Sequence, residues 1–199
     1  MTVKIGITGG IGSGKTIVCE IFKLLGVPVF QADFVAGKLI NSDAVIRNEL
    51  ISLYGNDIYN SDRKINREKL AGIIFNNDTE LEKVNKVVHP AVRNEFMNWV
   101  KNQDTEYVIH EAAILFESGF YKMMDFTILV TAPEEIRIER VIKRNGLTRE
   151  NVISRIAKQW PDIEKRKLAT FELINDNKSL LIPQIIEIDK KIKTNGKIW

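Results

Sequence analysis

TVKIGITGGIGSGKTIVCEIF, residues 2–22, carries two hydrophobic periods joined by a run of glycines. Its first part, TVKIGIT (2–8), is short, β-branched and bounded by glycine, which predicts a buried parallel strand. From Lys15 the apolar residues fall at Ile17, Val18, Ile21, Phe22 and Leu25, the spacing of one helical face, and Gly26 closes that helix. Between strand and helix, Gly9–Thr16 matches the pattern G-x-x-x-x-G-K-[ST]. Glycines there let the backbone turn successive N–H groups inward onto phosphate oxygens, and the helix start adds its partial positive charge. Lys15 can bridge the outer phosphates and the Thr16 hydroxyl can ligate Mg²⁺. The stretch predicts a nucleoside triphosphate site built from Gly12, Ser13, Gly14, Lys15, Thr16 and Ile17.

Working outward, VPVFQAD (27–33) reads as a second strand with Pro28 near its start. Residues 34–102 are mostly helical in pattern; NREKLAGIIF (66–75) and the run 80–100 are amphipathic, with Pro90 predicting a break or kink. YVIHE (107–111) and DFTILVTA (125–132) read as third and fourth strands, and Pro133 with two acids behind it opens a helix at its first turn. Helices over 149–158 and 162–170, a fifth strand at FELIN (171–175) and a charged final helix complete the pattern. Strands alternating with helices predict an α/β fold, a P-loop NTPase-type parallel five-stranded sheet flanked by helices. One domain over 1–199 is expected: a nucleotide core (about 1–33, 105–135 and 170–199), a helical substrate-binding insertion (34–104), and a lid with following helices (136–168).

The loop leaves the reaction open. A GTPase switch needs D-x-x-G and N-K-x-D segments, and this sequence has neither; L-S-G-G-Q is absent as well. Small size and several later arginines fit a small-molecule kinase, in which cations offset charge on the migrating phosphoryl group and a lid excludes water. Asp33, just past the second strand, can take or orient the proton of an acceptor hydroxyl, and can equally cap the helix that follows. Arg137, Arg140 and Arg144 are spaced to share a helix face, read either as a solvated face or as a lid in which Arg140 and Arg144 clamp phosphates.

Composition narrows the classes further. A formal charge of +3, with 29 basic residues spread along 199, argues against a dedicated nucleic-acid binder and suits small anionic ligands. The single cysteine, Cys19, excludes an internal disulfide framework and reads as a core residue. Two histidines build no rich metal site, no apolar run approaches about 20 residues, and a first strand without a preceding signal peptide predicts a cytoplasmic location.

These residues resemble the dephospho-CoA kinase family over nearly the whole chain. The resemblance runs through ITGGIGSGK (7–15), ADFVA (32–36), His89-Pro90, EAAILFE (111–117, beside the family's PLLFE), RVIKRNGLT (140–148) and RIAKQWPDIEK (155–165). It implies transfer of the ATP γ-phosphoryl group to the ribose 3′-hydroxyl of dephospho-CoA, the last step of coenzyme A synthesis, with ATP and Mg²⁺. It implies Asp33 as base, Lys15 and Arg140 as catalytic cations, His89 at the coenzyme pocket, and Arg144 on the substrate from the lid. Glu111 either orients Mg²⁺-bound water or pairs with a cation, and Trp99 and Trp160 are assigned to packing. No nucleic-acid or membrane partner is expected, and the chain should be a monomer or weak homo-oligomer.

The sequence departs from the family pattern at Gln31 (family aspartate), Ala113 (proline), Arg137 (often glutamine), and around Asn175–Asn177, which leaves the adenine contacts open. A nucleoside monophosphate kinase would share fold, loop and arginines. A nucleotide-dependent regulatory module is the third reading, against which the absent switch motifs and Asp33 both weigh.

Overall fold

The computed structural model describes residues 2–75 and 77–195. Strands β1 (Val3–Thr8), β2 (Val29–Gln31), β3 (Tyr107–Glu111), β4 (Phe126–Thr131) and β5 (Phe171–Ile174) form one parallel sheet in the order β2-β3-β1-β4-β5. From β1 the chain passes to the outer strand β2, returns to β3, and places β4 on the other side of β1. Strand order therefore reverses at β1, and the loop leaving its carboxyl end opens at the switch point where such sheets bind ligands. β2 is only three residues long, which blunts an exposed edge.

Two compact units make up the chain. One comprises the residues up to Gln31 together with those from Asn102 on; the other is Ala32–Lys101. In the first, α1 (Lys15–Leu24) and α9 (Leu181–Asn195) cover the sheet. Ile5, Ile7, Ile109, Ile128, Val130 and Leu173 meet Val18 and Phe22 of α1 and Ile185, Ile188 and Ile192 of α9 in one buried cluster. Cys19 lies wholly inside it, and burial foremost, then the charge of Glu111, pushes its thiol up to about 12. The buried Tyr107 hydroxyl is satisfied by donating to Asp189 Oδ1 at 2.6 Å.

Beyond β4, α6 (Glu134–Asn145) is followed by α7 (Arg149–Ala157) and α8 (Asp162–Arg166). Ile138, Val141 and Val152 form a small buried cluster with Ile11, Ile142, Leu147 and Ile156 against it. Pro133 is the N-cap of α6 instead of its first-turn residue, and the 162–170 helix stops at Arg166, because the Thr170 N–H goes to Thr127 O and draws the chain into β5. Trp160, assigned to packing, is 45% exposed. Its neighbours Pro161 and Asp162 begin α8, which carries the indole to the surface.

The second unit holds α2 (Ala32–Ser42), α3 (Ala44–Tyr54), α4 (Arg67–Ile74) and α5 (Asp78–Lys101). Asp43 caps α3 and Asn66 caps α4, each side chain accepting a first-turn N–H. Pro90 breaks nothing: α5 runs through it for 24 residues. The buried stripe Val84, Val88, Val92 and Phe96 extends on both sides of the proline, whose ring faces solvent, so burial outweighs one lost hydrogen bond. Among the described residues no helix is long and apolar enough to cross a membrane.

Candidate nucleotide site

In a trans peptide the C=O and the adjoining N–H point opposite ways, and no cis bond occurs among the described residues. Every carbonyl from Gly9 to Gly14 is taken by a donor of the protein. Lys15 Nζ donates to Gly9 O (2.8 Å), the Ser13 N–H to Gly10 O (3.0 Å) and Arg137 Nε to Ile11 O (3.0 Å). Arg140 donates to Gly12 O (3.4 Å), Asn175 Nδ2 to Ser13 O (2.8 Å), and the Val18 N–H to Gly14 O (3.3 Å). With those oxygens tied back, the N–H groups of Gly12, Gly14 and Lys15 are directed away from the supports. They form a nest of donors suited to an anion.

Lys15, Thr16 and Ile17 are the first three residues of α1, whose first turn holds no acid to neutralise its positive end. Gly12 (φ +80°) and Gly14 (φ +96°) occupy left-handed backbone, and a Cβ on Gly14 would also enter the Asn175 amide. Ser13 Oγ is buried with no hydrogen-bond partner among the described residues, a hydroxyl free to serve a ligand. The residues present therefore fit a triphosphate.

The three arginines expected on one helix face separate. Arg137 is 6% exposed and reaches Asp162 at 3.5 Å as well as the loop, so it is no solvated charge. Arg140 also donates to Ser13 O, Asn175 O and the Asn175 and Asn177 side chains. Arg144 is exposed, one turn farther along α6, and its Nε donates to Asn145 Oδ1 at 2.8 Å. At the start of α7, Arg149 pairs with Glu135 at 2.7 Å and Thr148 caps the helix.

In the second unit Asp33 stands exposed in the first turn of α2. It is the second residue of that helix and not its N-cap, because helical backbone begins already at Ala32; the second strand correspondingly ends at Gln31. His89 on α5 is half-buried and lies near enough to feel the Asp33 carboxylate. Burial foremost, then the charge of Arg93, lowers its pKa against the opposing pull of Asp33. Asp33 and His89 are thus brought together in one unit, while Lys15, Thr16 and Arg140 gather at the loop of the other.

The dephospho-CoA kinase family model matches residues 3–180. A dephospho-CoA kinase of Bacteroides fragilis is 41% identical over 189 residues, covering 94% of this chain and 92% of that one. The chain belongs to the dephospho-CoA kinase family. Among solved structures, a Thermus thermophilus protein superposes with a TM-score of 0.83 at 33% identity, covering 98% of this chain and 97% of its own. Dephospho-CoA kinase from Campylobacter jejuni gives 0.71 at 25% identity, covering 98% and 99%.

Where this chain departs from the dephospho-CoA kinase pattern, the substitutions have visible settings. Gln31 ends β2 opposite Glu111 in the β2–β3 register. Arg137, one of the departures from the family pattern, fills the space above Gly10, where an added Cβ would meet its guanidinium. Asn175, left open as an adenine contact, is buried beneath the loop and supports Ser13. Two supports went unread in the sequence. Gln159 Oε1 accepts the Ile11 N–H at 2.8 Å across 148 residues, and the buried Lys165 ammonium lies 2.9 Å from Glu117 Oε1. No short-range pattern signals either one, because each contact depends on which segments the fold makes neighbours. Among the described residues no group of three or more His, Cys, Asp or Glu could hold a metal ion.

Proposed function

We propose that the chain catalyses ATP-dependent phosphorylation of dephospho-CoA at its ribose 3′-hydroxyl, giving coenzyme A and ADP. The observation that carries the reading is the tied-back carbonyl row from Gly9 to Gly14, in a chain of the dephospho-CoA kinase family. Donors freed by that arrangement receive the ATP phosphates. Lys15 Nζ exchanges the neutral Gly9 carbonyl for charged phosphate oxygens, a charge-assisted bond roughly twice as strong. Arg140, held at the loop carbonyls, adds positive potential where negative charge shifts during transfer. Asp33 takes the proton of the 3′-hydroxyl as that oxygen attacks the γ-phosphorus, and ADP leaves.

His89 borders the acceptor's pocket. Burial lowers its pKa and so favours the neutral ring, which can donate or accept a hydrogen bond. Arg144, exposed at the end of α6, contacts the acceptor's phosphates. Thr16, at the start of α1, would hold Mg²⁺, which would supply positive charge to offset that of the phosphates. The location proposed is the cytoplasm, with the protein a monomer or weak homo-oligomer and neither nucleic acid nor membrane as partner.

ADP release with Mg²⁺-ATP and, in turn, dephospho-CoA, AMP, CMP or no acceptor tests the reading. Stimulation by dephospho-CoA alone is expected. Stimulation by a nucleoside monophosphate without dephospho-CoA would assign a different acceptor, and none by any acceptor would favour a regulatory role.

A further inference from the structure

Both polar groups of Ile11 are held by side chains from the helical arm beyond β4. Its N–H is accepted by Gln159 Oε1 at 2.8 Å, and its C=O accepts from Arg137 Nε at 3.0 Å. The Ile11 side chain packs against the arm's own cluster of Ile138, Val141 and Val152. These contacts orient the two peptide planes on either side of Ile11. Turning the Ile11 N–H outward to Gln159 turns Gly10 O inward, where it receives the Ser13 N–H at 3.0 Å. Drawing the Ile11 carbonyl outward to Arg137 points the Gly12 N–H into the loop's hollow. The two side chains thus hold the two adjoining planes that share Ile11, the loop's first turn.

The holders are themselves held. Arg137 reaches Asp162 at the start of α8 at 3.5 Å, and the Trp160 N–H beside Gln159 donates to Glu117 Oε1 at 3.2 Å. That same carboxylate oxygen faces the fully buried Lys165 ammonium at 2.9 Å. A cavity of about 390 Å³ lies alongside, lined by Arg137, Gln159, Trp160 and Asp162 among others, so the Gln159 side chain stands beside open volume and gains its position from these bonds.

We infer that Gln159 and Arg137 are positioning residues for phosphoryl transfer, acting together through Ile11 to direct the Gly12 N–H at the phosphates of the nucleotide. The inference rests on the loop being the ATP site and not on the identity of the acceptor. Gln159→Leu removes the acceptor for the Ile11 N–H, whereas Gln159→Glu keeps an oxygen there. Losing one hydrogen bond to a loop N–H should weaken ATP binding by about 2- to 13-fold.

The experiment measures ATP affinity by calorimetry and the KM values for ATP and dephospho-CoA, with the nucleotide-free melting temperature as control. Expected is a raised Kd and KM for ATP in Gln159→Leu, near-parental affinity in Gln159→Glu, and an unchanged KM for dephospho-CoA. Arg137→Met should weaken ATP binding similarly, and the double variant should lose less than the product of the two single losses. Parental ATP affinity in Gln159→Leu, or a loss that tracks only a lower melting temperature and is not restored by glutamate, overturns the inference. If the parent binds ATP but does not phosphorylate dephospho-CoA, the acceptor reading fails and this one is still decided by the affinities.

Discussion

A single carboxylate, Asp33, separates a phosphate-binding loop from a transferase in this reading. It stands in the first turn of α2, two residues beyond the end of β2, exposed where an acceptor can reach it. A carboxylate in that place can accept the proton of an acceptor hydroxyl, which is what a general base requires. Asp33→Asn preserves shape and helix position while removing the proton acceptor. ATP affinity should stay within about twofold while kcat falls by about 10²-fold or more, measured by calorimetry and coupled ADP release. Near-parental turnover would remove Asp33 from the base role. The residue type and its place after a strand were legible in the sequence; its nearness to His89 was not, since α2 and α5 meet only through packing.

Among elements, the short α8 has an importance its five residues do not suggest. Lys165 is wholly buried and its ammonium lies 2.9 Å from Glu117 Oε1 in the segment after β3. A buried pair gives little net stability when intact, because both charges lose hydration, but removing one partner strands the other. Glu117→Ala should therefore destabilise the fold by about 3–5 kcal/mol in urea unfolding, whereas replacing both, Glu117→Gln with Lys165→Met, should cost clearly less. Equal losses would show that the charges are not coupled. The boundary of α8 also illustrates why sequence periodicity overran. Residues 167–170 retain helical composition, but Thr127 recruits the Thr170 N–H and hydroxyl, and β5 begins. Pro90 is the converse case, a local breaker overruled by a buried stripe that continues on both sides of it.

At the scale of the whole molecule, stability should follow the protonation of His110, buried in β3 of the sheet. Its ring stacks between Phe30 and Phe120, with centroids 5.5 and 4.4 Å away, and burial pushes its pKa down to about 4 from 6.5. The folded state therefore resists the proton that the unfolded chain accepts. Stability contributed by the neutral ring is complete above the unfolded pKa and is lost as pH falls from about 6.5 towards 4. Between pH 7.5 and 5 this amounts to about 2 kcal/mol. Denaturant unfolding of the parent and of His110→Phe across that range should show the loss in the parent and a correspondingly flatter profile in the variant. Parallel profiles would mean that the ring is not held neutral.

By itself the sequence determined the architecture and pointed to the glycine loop as a place suited to phosphates. Alternating strand and helix periods, glycine where φ must be positive, and lysine and threonine at a helix start are all local requirements, legible over a few residues. Tertiary structure alone decided what holds the loop in shape. Arg137, Gln159 and Asn175 reach it across 126, 148 and 162 residues, and no local rule links them to Ile11 or Ser13. The charge pattern left a solvated row of arginines and a lid both open; only the fold shows Arg137 and Arg140 donating to the loop carbonyls of Ile11, Gly12 and Ser13. The physical reason is that a turned loop leaves oxygens which must find donors, and only the assembled sheet and helices determine which donors stand close enough.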